Sequence, residues 1–200
     1  MNEHPIPFTT EMVKAILDGR KTMTRRVVKP QPTLKRWMEN GVEVGLWEWL
    51  HDCNWWYKNL SDESGIEQYC PYGQVGDRLW VRETWFPKML YTPCDCLYKA
   101  DTPNQARPEG YIGRSWKSSM FMPRWASRIT LEITNIRVER LREIMPEDAI
   151  REGYPFNAPE AESRDTYINW FRTLWDSINA KRGYSWSDNP WVWIIEFRKV

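Results

Sequence analysis

Basic side chains concentrate in one short part of the chain, and their chemistry suits the binding of phosphate. Between Arg20 and Arg36 there are seven lysines and arginines and no acidic residue, although the net charge of the 200-residue chain is only +1. Guanidinium and ammonium groups pair with phosphate oxygens, so such a cluster is typical of surfaces that bind nucleic acid. A solvated basic face has the same composition. Both interpretations stay open until the position of the cluster in the fold is known.

The four cysteines are the residues that would hold a zinc ion. A structural zinc site is usually built from cysteine pairs with C-x-x-C spacing. Here Cys94 and Cys96 have C-x-C spacing, and Cys53 and Cys70 stand apart from them. The spacing favours buried thiols over a zinc site, and we expect neither a metal nor a cofactor.

Fourteen tryptophans are an unusual number for this length. Those that fall in helical or strand-like patterns are expected in the core: Trp80, Trp85, Trp175, Trp191 and Trp193. Another group lies among glycine, asparagine and aspartate, where the rings are either exposed or attach an insertion to the core: Trp47, Trp49, Trp55 and Trp56. Exposed aromatic rings beside basic residues can stack on bases. Packing is the favoured interpretation for most of them.

Composition and the chain start indicate the class of protein. A hydrophobic fraction of 42% with 28% charged residues is typical of a folded globular chain. No apolar run approaches the roughly 20 residues that span a bilayer. The first five residues, Met1 to Pro5, contain no basic stretch followed by an apolar one, as a signal peptide would. We therefore expect a single-domain cytoplasmic protein with no membrane partner.

Hydrophobic periodicity, caps and glycines predict the elements that position these residues. In chain order they are a strand at 5–8, a helix at 9–18, strands at 22–28, 78–85 and 127–141, helices at 146–153 and 164–180, and a strand at 191–200. The last strand is apolar on both faces until Glu196, which predicts a central position. Two stretches without a sustained period, about 30–72 and 87–123, are interpreted as insertions. The order of elements indicates an α+β fold with mostly antiparallel neighbours.

Four segments of the chain, in this order, resemble the signatures of the ASCH domain, a branch of the PUA-like superfamily. They are 16–26 (ILDGRKTMTRR), 76–83 (GDRLWVRE), 146–153 (PEDAIREG) and 191–197 (WVWIIEF). The long, tryptophan-rich form is similar to ASCH proteins of phages and prophages. The resemblance implies that residues 1–200 form one domain, a small, mostly antiparallel PUA-like β-barrel flanked by helices. Minimal ASCH domains are about half this length, and the two insertions account for the difference.

The resemblance also implies a site in a cleft between the first helix, the following strand and the short helix with Glu152. One ASCH branch is similar to amidohydrolases that remove the acyl group of N4-acetylcytidine, and its working residues match Lys21, Thr24 and Glu152. In such a site a desolvated lysine takes the proton of the threonine hydroxyl. The glutamate protonates the leaving nitrogen or orients the base. Since Lys21 and Thr24 would face opposite sides of a regular strand, the chain must bend between them.

Ordinary structural roles are the alternative for these residues. Lys21 can act as a cation at the helix C-terminus, Thr24 as a strand residue and Glu152 as an exposed helix residue. The remaining candidates for ligand binding are Arg20, Arg25, Arg26 and Lys29. Arg25 and Arg26 alternate across a strand, so one of them is expected to face the cleft as a phosphate or carboxylate clamp.

Three functions are compatible with these residues. The first is binding of RNA or of a nucleobase or nucleoside, modified or not, in the cleft. The second is metal-independent deacylation of N4-acetylcytidine-type nucleosides. The third is a ribonuclease, ranked last because the sequence shows no paired carboxylate cluster and only two histidines, His4 and His51.

Overall fold

The computed structural model describes residues 1–39, 42–51, 54–59, 69–88, 96–110, 113–156 and 163–200. Cys53, Cys94 and the side chains of four tryptophans, Trp47, Trp49, Trp55 and Trp56, lie outside this description. What the sequence indicates about them stays a prediction. Within the described residues, no helix has the length and apolar character needed to cross a membrane.

The fold is a mixed α+β structure built on one five-stranded sheet, which confirms the predicted class. The elements are β1 (Glu3–Pro7), α1 (Thr10–Leu17), β2 (Met23–Val27), β3 (Thr33–Glu39), β4 (Val42–His51), β5 (Asn54–Asn59), β6 (Arg78–Arg82), β7 (Trp85–Pro87), β8 (Cys96–Tyr98), β9 (Thr130–Arg140), α2 (Pro146–Arg151), α3 (Arg164–Asn179) and β10 (Trp191–Lys199). Short 3-10 turns join several of them. The main sheet has the order β1-β6-β9-β10-β2.

The main sheet is open rather than closed into a barrel. Its ladders are antiparallel except between β1 and β6, which are parallel. Among the described residues no ladder joins the two edge strands, β1 and β2. The expected mostly antiparallel arrangement is therefore present, while a closed barrel is not part of this sheet.

Local sequence signals account for the helix boundaries. The Thr9 side chain accepts a hydrogen bond from the Met12 N–H and caps α1, and Gly19 follows the helix with a φ of 74°. Pro146 occupies the first turn of α2, where its missing N–H costs nothing. The hydroxyl of Ser163 accepts a hydrogen bond from the Thr166 N–H and caps α3. The three predicted helices are thus confirmed to within a few residues.

Strand β10 lies between β9 and β2 and carries two hydrophobic clusters on its two faces. Trp193 and Ile195 pack in the cluster that includes residues of α1, β1 and β6. Val192 and Ile194 pack in the cluster that includes residues of α2 and α3. A strand buried on both faces needs apolar residues at every position, so the predicted central strand is confirmed.

The residues between the predicted elements contain further β-structure. Strands β3, β4 and β5 form a separate three-stranded antiparallel sheet inside the first insertion. The predicted strand at 78–85 is divided, because β6 ends at Arg82 and β7 pairs with β8 of the second insertion. All five tryptophans expected in the core are buried. Cys70 and Cys96 are buried in different clusters.

Candidate functional site

The turn after α1 brings the chain to α2 before β2 begins. Lys21 forms an isolated antiparallel bridge with the end of α2, and the Thr22 N–H donates to the carbonyl of Arg151 at 2.9 Å. The strand β2 starts only at Met23. The bend required between Lys21 and Thr24 is therefore present, and it is held by contacts with α2 and by a hydrogen bond from the Phe197 N–H of β10 to the Thr22 carbonyl.

Lys21 and Glu152 form a fully buried ion pair. The Lys21 Nζ lies 2.5 Å from Oε2 of Glu152, and the two side chains are 0% and 2% exposed. The same Nζ donates to the Glu152 backbone carbonyl at 2.9 Å. Burial lowers the pKa of Lys21 below its usual 10.5, against the opposing effect of the Glu152 charge. A lysine with a lowered pKa gives up its proton more readily than a surface lysine.

Arg25 binds the same carboxylate from the other side. Its Nη1 lies 3.4 Å from Oε1 of Glu152, and its Nη2 lies 2.5 Å from Oδ2 of Asp148. The guanidinium also lies over the ring of Phe171, 5.6 Å from its centre. Glu152 therefore sits between two cations, and Arg25 links it to the first turn of α2.

This ion pair is one end of a larger charge network. Arg137 binds both Asp148 and Glu196, and Arg151 binds Glu196. Buried charges are tolerated when each is paired and hydrogen bonded, because desolvation of an isolated charge costs several kcal/mol, on the order of 5. The network thus fixes α2 against β9, β10 and β2, and with it the position of Glu152.

A cavity of about 330 Å³ lies between the free edge of β2 and α3. Its lining includes Thr24, Arg26, Glu152, Tyr72, Trp175 and Tyr184. Within the described residues the Thr24 hydroxyl has no hydrogen-bond partner, although the residue is buried. Cavities that bind small molecules have volumes of roughly 300 to 1,000 Å³ and combine apolar walls with a few polar groups. This cavity has that size and that composition.

The backbone of β2 adds polar groups along the edge beside the cavity. The Val28 N–H donates to the carbonyl of Trp191, and the Thr22 carbonyl accepts from the Phe197 N–H. Even-numbered residues of β2 therefore pair with β10, and the alternation of an antiparallel ladder directs the N–H and C=O groups of Arg25 and Val27 to the free edge. Both residues line the cavity.

Arg26 lies on the face of β2 opposite to Arg25, as the strand alternation predicts. Its Nη2 donates to the carbonyl of Pro7 at 2.7 Å, and its guanidinium lies over the ring of Phe8, 5.0 Å from the centre. Its Nε is buried and has no hydrogen-bond partner in the described part of the chain. Burial lowers the pKa of Arg26. Both arginines reach the cavity, from its two sides.

The remaining predicted residues take different positions. Lys21 does not line the 330 Å³ cavity, and it reaches that space only through Glu152. Lys29 is exposed at the rim of the cavity, with Nζ 5.4 Å from the centre of the Tyr184 ring. Arg20 donates to the carbonyls of Gly153 and Tyr154 and joins α1 to the end of α2. It also lines a second cavity of about 270 Å³ on the other side of Glu152.

Sequence reasoning missed Arg182 and the aromatic wall. Arg182 lines the cavity from the 3-10 turn after α3, where its only sequence signal was a basic last turn before Gly183. The rings of Phe171 and Trp175 belong to the apolar face of α3, which predicted core packing and not a cavity wall. Both residues are buried and line the cavity at the same time.

Comparison of this chain with models of known protein families, with curated proteins and with solved structures found no match. The cavity and the charges around it are therefore the basis for proposing a function.

Proposed function

We propose that this protein binds a nucleobase, as a nucleoside or as part of RNA, in the cavity beside β2, and that its fold is PUA-like, of the ASCH type. One observation carries the proposal. Glu152 and Thr24, a carboxylate and a hydroxyl residue, line the same cavity as several aromatic rings and Arg26. A nucleobase needs this combination, because its faces are flat and apolar while its edge carries hydrogen-bond donors and acceptors.

The polar groups of the cavity favour a base with an exocyclic amine. Glu152 accepts hydrogen bonds from Lys21 and Arg25, and a carboxylate has about four lone-pair sites, which leaves capacity for a further donor. The N–H and C=O of Arg25 point away from β10 and form a donor and acceptor pair, like the edge of an amide. The rings of Tyr72, Trp175 and Tyr184 offer surfaces on which a base can stack. Cytosine and adenine both carry such an amine.

The ASCH-type fold is supported by the order of the elements. The four segments that resemble the ASCH signatures form the α1–β2 junction, β6, α2 and β10. Three of these elements meet at the cavity or next to it, because β10 pairs with β2 and α2 carries Glu152. The mostly antiparallel sheet is compatible with a PUA-like arrangement whose ring of strands is open between β1 and β2.

Calorimetric titration of the full chain with cytidine and uridine tests the proposal. Uridine has a carbonyl in place of the amine and would place an acceptor against the carboxylate. We expect cytidine to bind at least about tenfold more tightly than uridine. Glu152→Gln should reduce the difference, because an amide both donates and accepts, whereas Glu132→Gln on β9, which pairs with Arg198, should preserve it. Equal binding of both nucleosides by the wild type would refute the assigned role of Glu152.

A second candidate function is deacylation of N4-acetylcytidine, favoured by the Thr24 hydroxyl, which has no partner in the described part of the chain, and by the lowered pKa of Lys21. The Thr24 oxygen would bond to the acyl carbon while its proton passes to the pair of Lys21 and Glu152. The bond from that carbon to N4 would break, and N4 would take a proton. Water would then cleave the acyl ester, releasing acetate and restoring the hydroxyl. The sum is N4-acetylcytidine and water giving cytidine and acetate.

Chromatography of N4-acetylcytidine incubated with the enzyme separates this activity from binding alone. Thr24→Ser should retain turnover, since it keeps a hydroxyl, whereas Thr24→Val and Lys21→Ala should abolish it. Turnover that survives in Thr24→Val would show that the hydroxyl is not the nucleophile. No turnover by the wild type, with cytidine still bound, would leave the binding function as the sole activity. No specific observation supports the third function, a ribonuclease. His4 lies beside Asp77 and does not line the cavity, and the side chain of His51 is outside the described residues.

A further inference from the structure

Three cations meet at the outer part of the cavity beside β2. Arg26 lies inside it, and Lys29 and Arg182 are exposed at its rim. In the described part of the chain no carboxylate forms an ion pair with any of the three, whereas Arg25, in the same cavity, is bound to two carboxylates. We refer to Arg26, Lys29 and Arg182 together as the rim cations. Their charges are available to a ligand.

The remaining charges of the cavity do not compensate the rim cations. Among the described residues that line the cavity, Glu152 is the one acidic side chain, and its carboxylate is already shared by Lys21 and Arg25. Asp148 behind it is bound by Arg25 and Arg137. The outer part of the cavity therefore carries an excess of positive charge, and cations in a cleft with apolar walls raise the local concentration of anions.

Two features of Arg26 point to an anion beside it. Its pKa is lowered mainly by burial; the charges of Tyr72 and Glu152 raise it, and the charge of Arg182 lowers it, so the two guanidinium groups repel each other. Its buried Nε also has no hydrogen-bond acceptor among the described residues. An anion placed between Arg26 and Arg182 would remove the repulsion, and it would supply acceptors for the guanidinium groups.

The rim cations lie at a suitable distance from the base-binding groups. Thr24 lies in β2, and Lys29 lies in the bend that follows the end of this strand at Val27. At about 3.3 Å per extended residue, their separation of five positions corresponds to at most roughly 16 Å. Arg26 lies between them. A ligand with its base against Thr24 and Glu152 would therefore direct its sugar toward the rim and place a substituent of the sugar among the three cations.

We propose that Arg26, Lys29 and Arg182 bind a phosphate group, so that the ligand of this protein is a phosphorylated nucleoside unit and not a free nucleoside. The inference rests on the proposed function for the position of the base, and it extends the site to the phosphate. Guanidinium groups bind phosphate oxygens through paired, charge-assisted hydrogen bonds, and a lysine adds a point charge. The phosphate belongs either to a free nucleotide or to the backbone of RNA, since both offer the same oxygens.

Calorimetric titration with four probes tests the inference: cytidine, cytidine 5′-monophosphate, inorganic phosphate and a cytidine hexanucleotide. Arg182→Gln is the test variant, because the residue is exposed and its loss does not disturb the core. Lys181→Gln is the matched control. It also removes one positive charge, from the neighbouring residue, and the Lys181 side chain does not line the cavity. Circular dichroism verifies that both variants fold.

We expect the monophosphate to bind at least about tenfold more tightly than cytidine, which is the size of one charge-assisted hydrogen bond. Arg182→Gln should remove most of this advantage, whereas Lys181→Gln should preserve it. A hexanucleotide that binds far more tightly than the monophosphate, with a steep dependence on salt, identifies RNA as the source of the phosphate. A monophosphate that binds as well as the hexanucleotide identifies a free nucleotide.

The contrary results are distinct. Equal affinity for cytidine and its monophosphate in the wild type would overturn the phosphate site and leave the base site standing. Binding of inorganic phosphate that depends on Arg182, with no added affinity from the base, would keep the phosphate site and overturn the proposed function. Failure of the folded protein to bind any of the four probes would overturn both.

Discussion

Replacing Lys21 with methionine tests whether the pair of Lys21 and Glu152 is a buried ion pair that stabilises the site. Methionine nearly preserves the side-chain volume, so the main loss is the cation 2.5 Å from the Glu152 carboxylate and the hydrogen bond to its backbone carbonyl. Removing one partner of a buried pair costs about 3 to 5 kcal/mol, because the other charge stays buried without compensation. Arg25 remains 3.4 Å from the carboxylate. We therefore expect a decrease near the lower limit, about 3 kcal/mol.

Urea denaturation followed by circular dichroism measures this decrease. With a slope of about 1 to 3 kcal/mol per molar urea, the midpoint should fall by roughly 1 to 3 M at an unchanged slope. The double variant Lys21→Met, Glu152→Gln should recover much of the loss, because no unpaired charge is left. Arg198→Met, which breaks the pair with Glu132 at a site where the arginine is 67% exposed, should cost less than about 1 kcal/mol. A loss below about 1 kcal/mol for Lys21→Met, or a double variant no more stable than the single one, would refute the buried ion pair.

Three further predictions concern the stability of the turn after α2 and of the charged groups beside β6. Gly153→Ala should destabilise the protein by about 2 kcal/mol or more in thermal denaturation, because its φ is +104° and an added Cβ would lie 2.9 Å from a side-chain carbon of α1. The control Gly19→Ala, with a φ of +74° and open space around it, should cost only about 1 kcal/mol. Equal losses of stability in the two variants would contradict the predicted close contact. Arg128→Met should cost about 3 kcal/mol in urea denaturation because it strands Glu83, whose side chain is 2% exposed; a neutral effect would mean that this pair does not stabilise the β6–β9 region. Two backbone N–H groups hold the pKa of Asp77 below its usual 3.8, so in acid the unfolded chain binds a proton that the folded protein does not, and the stability from this group is lost as the pH falls through the folded-state pKa. The wild type should therefore lose more stability than Asp77→Asn between about pH 5 and pH 2. Parallel losses in the two proteins would assign the acid sensitivity to other groups.

Local signals in the sequence were sufficient for most helices and for the strands of the main sheet. The cap at Thr9 and the proline at position 146 act within four residues of themselves, so they predict helix starts without knowledge of the fold. The run of apolar residues in β10 predicted a strand buried on both faces for the same reason. The bend between Lys21 and Thr24 was predicted from the resemblance, which assigns both residues to one site, together with side-chain alternation.

Other features depended on partners distant in the sequence. The strands β3, β4 and β5 were not predicted individually, because the propensity of a segment for β-structure depends on its pairing with neighbouring strands. The division of the strand at 78–85 results from the pairing of β7 with β8. Whether the five-stranded sheet closes into a barrel likewise depends on contacts between β1 and β2, which no local pattern encodes.

The sequence by itself determined which residues were available for the site: the basic cluster, the threonine after the first helix and the glutamate at the end of the short helix. The tertiary structure decided their roles. It placed Lys21 behind Glu152, across 131 residues of chain, and brought Arg182 into the cavity with Arg26 and Lys29. The physical reason is that helix caps and side-chain alternation act over a few residues, whereas burial, charge pairing and the shape of a cavity are set by the packing of α2 and α3 against β2.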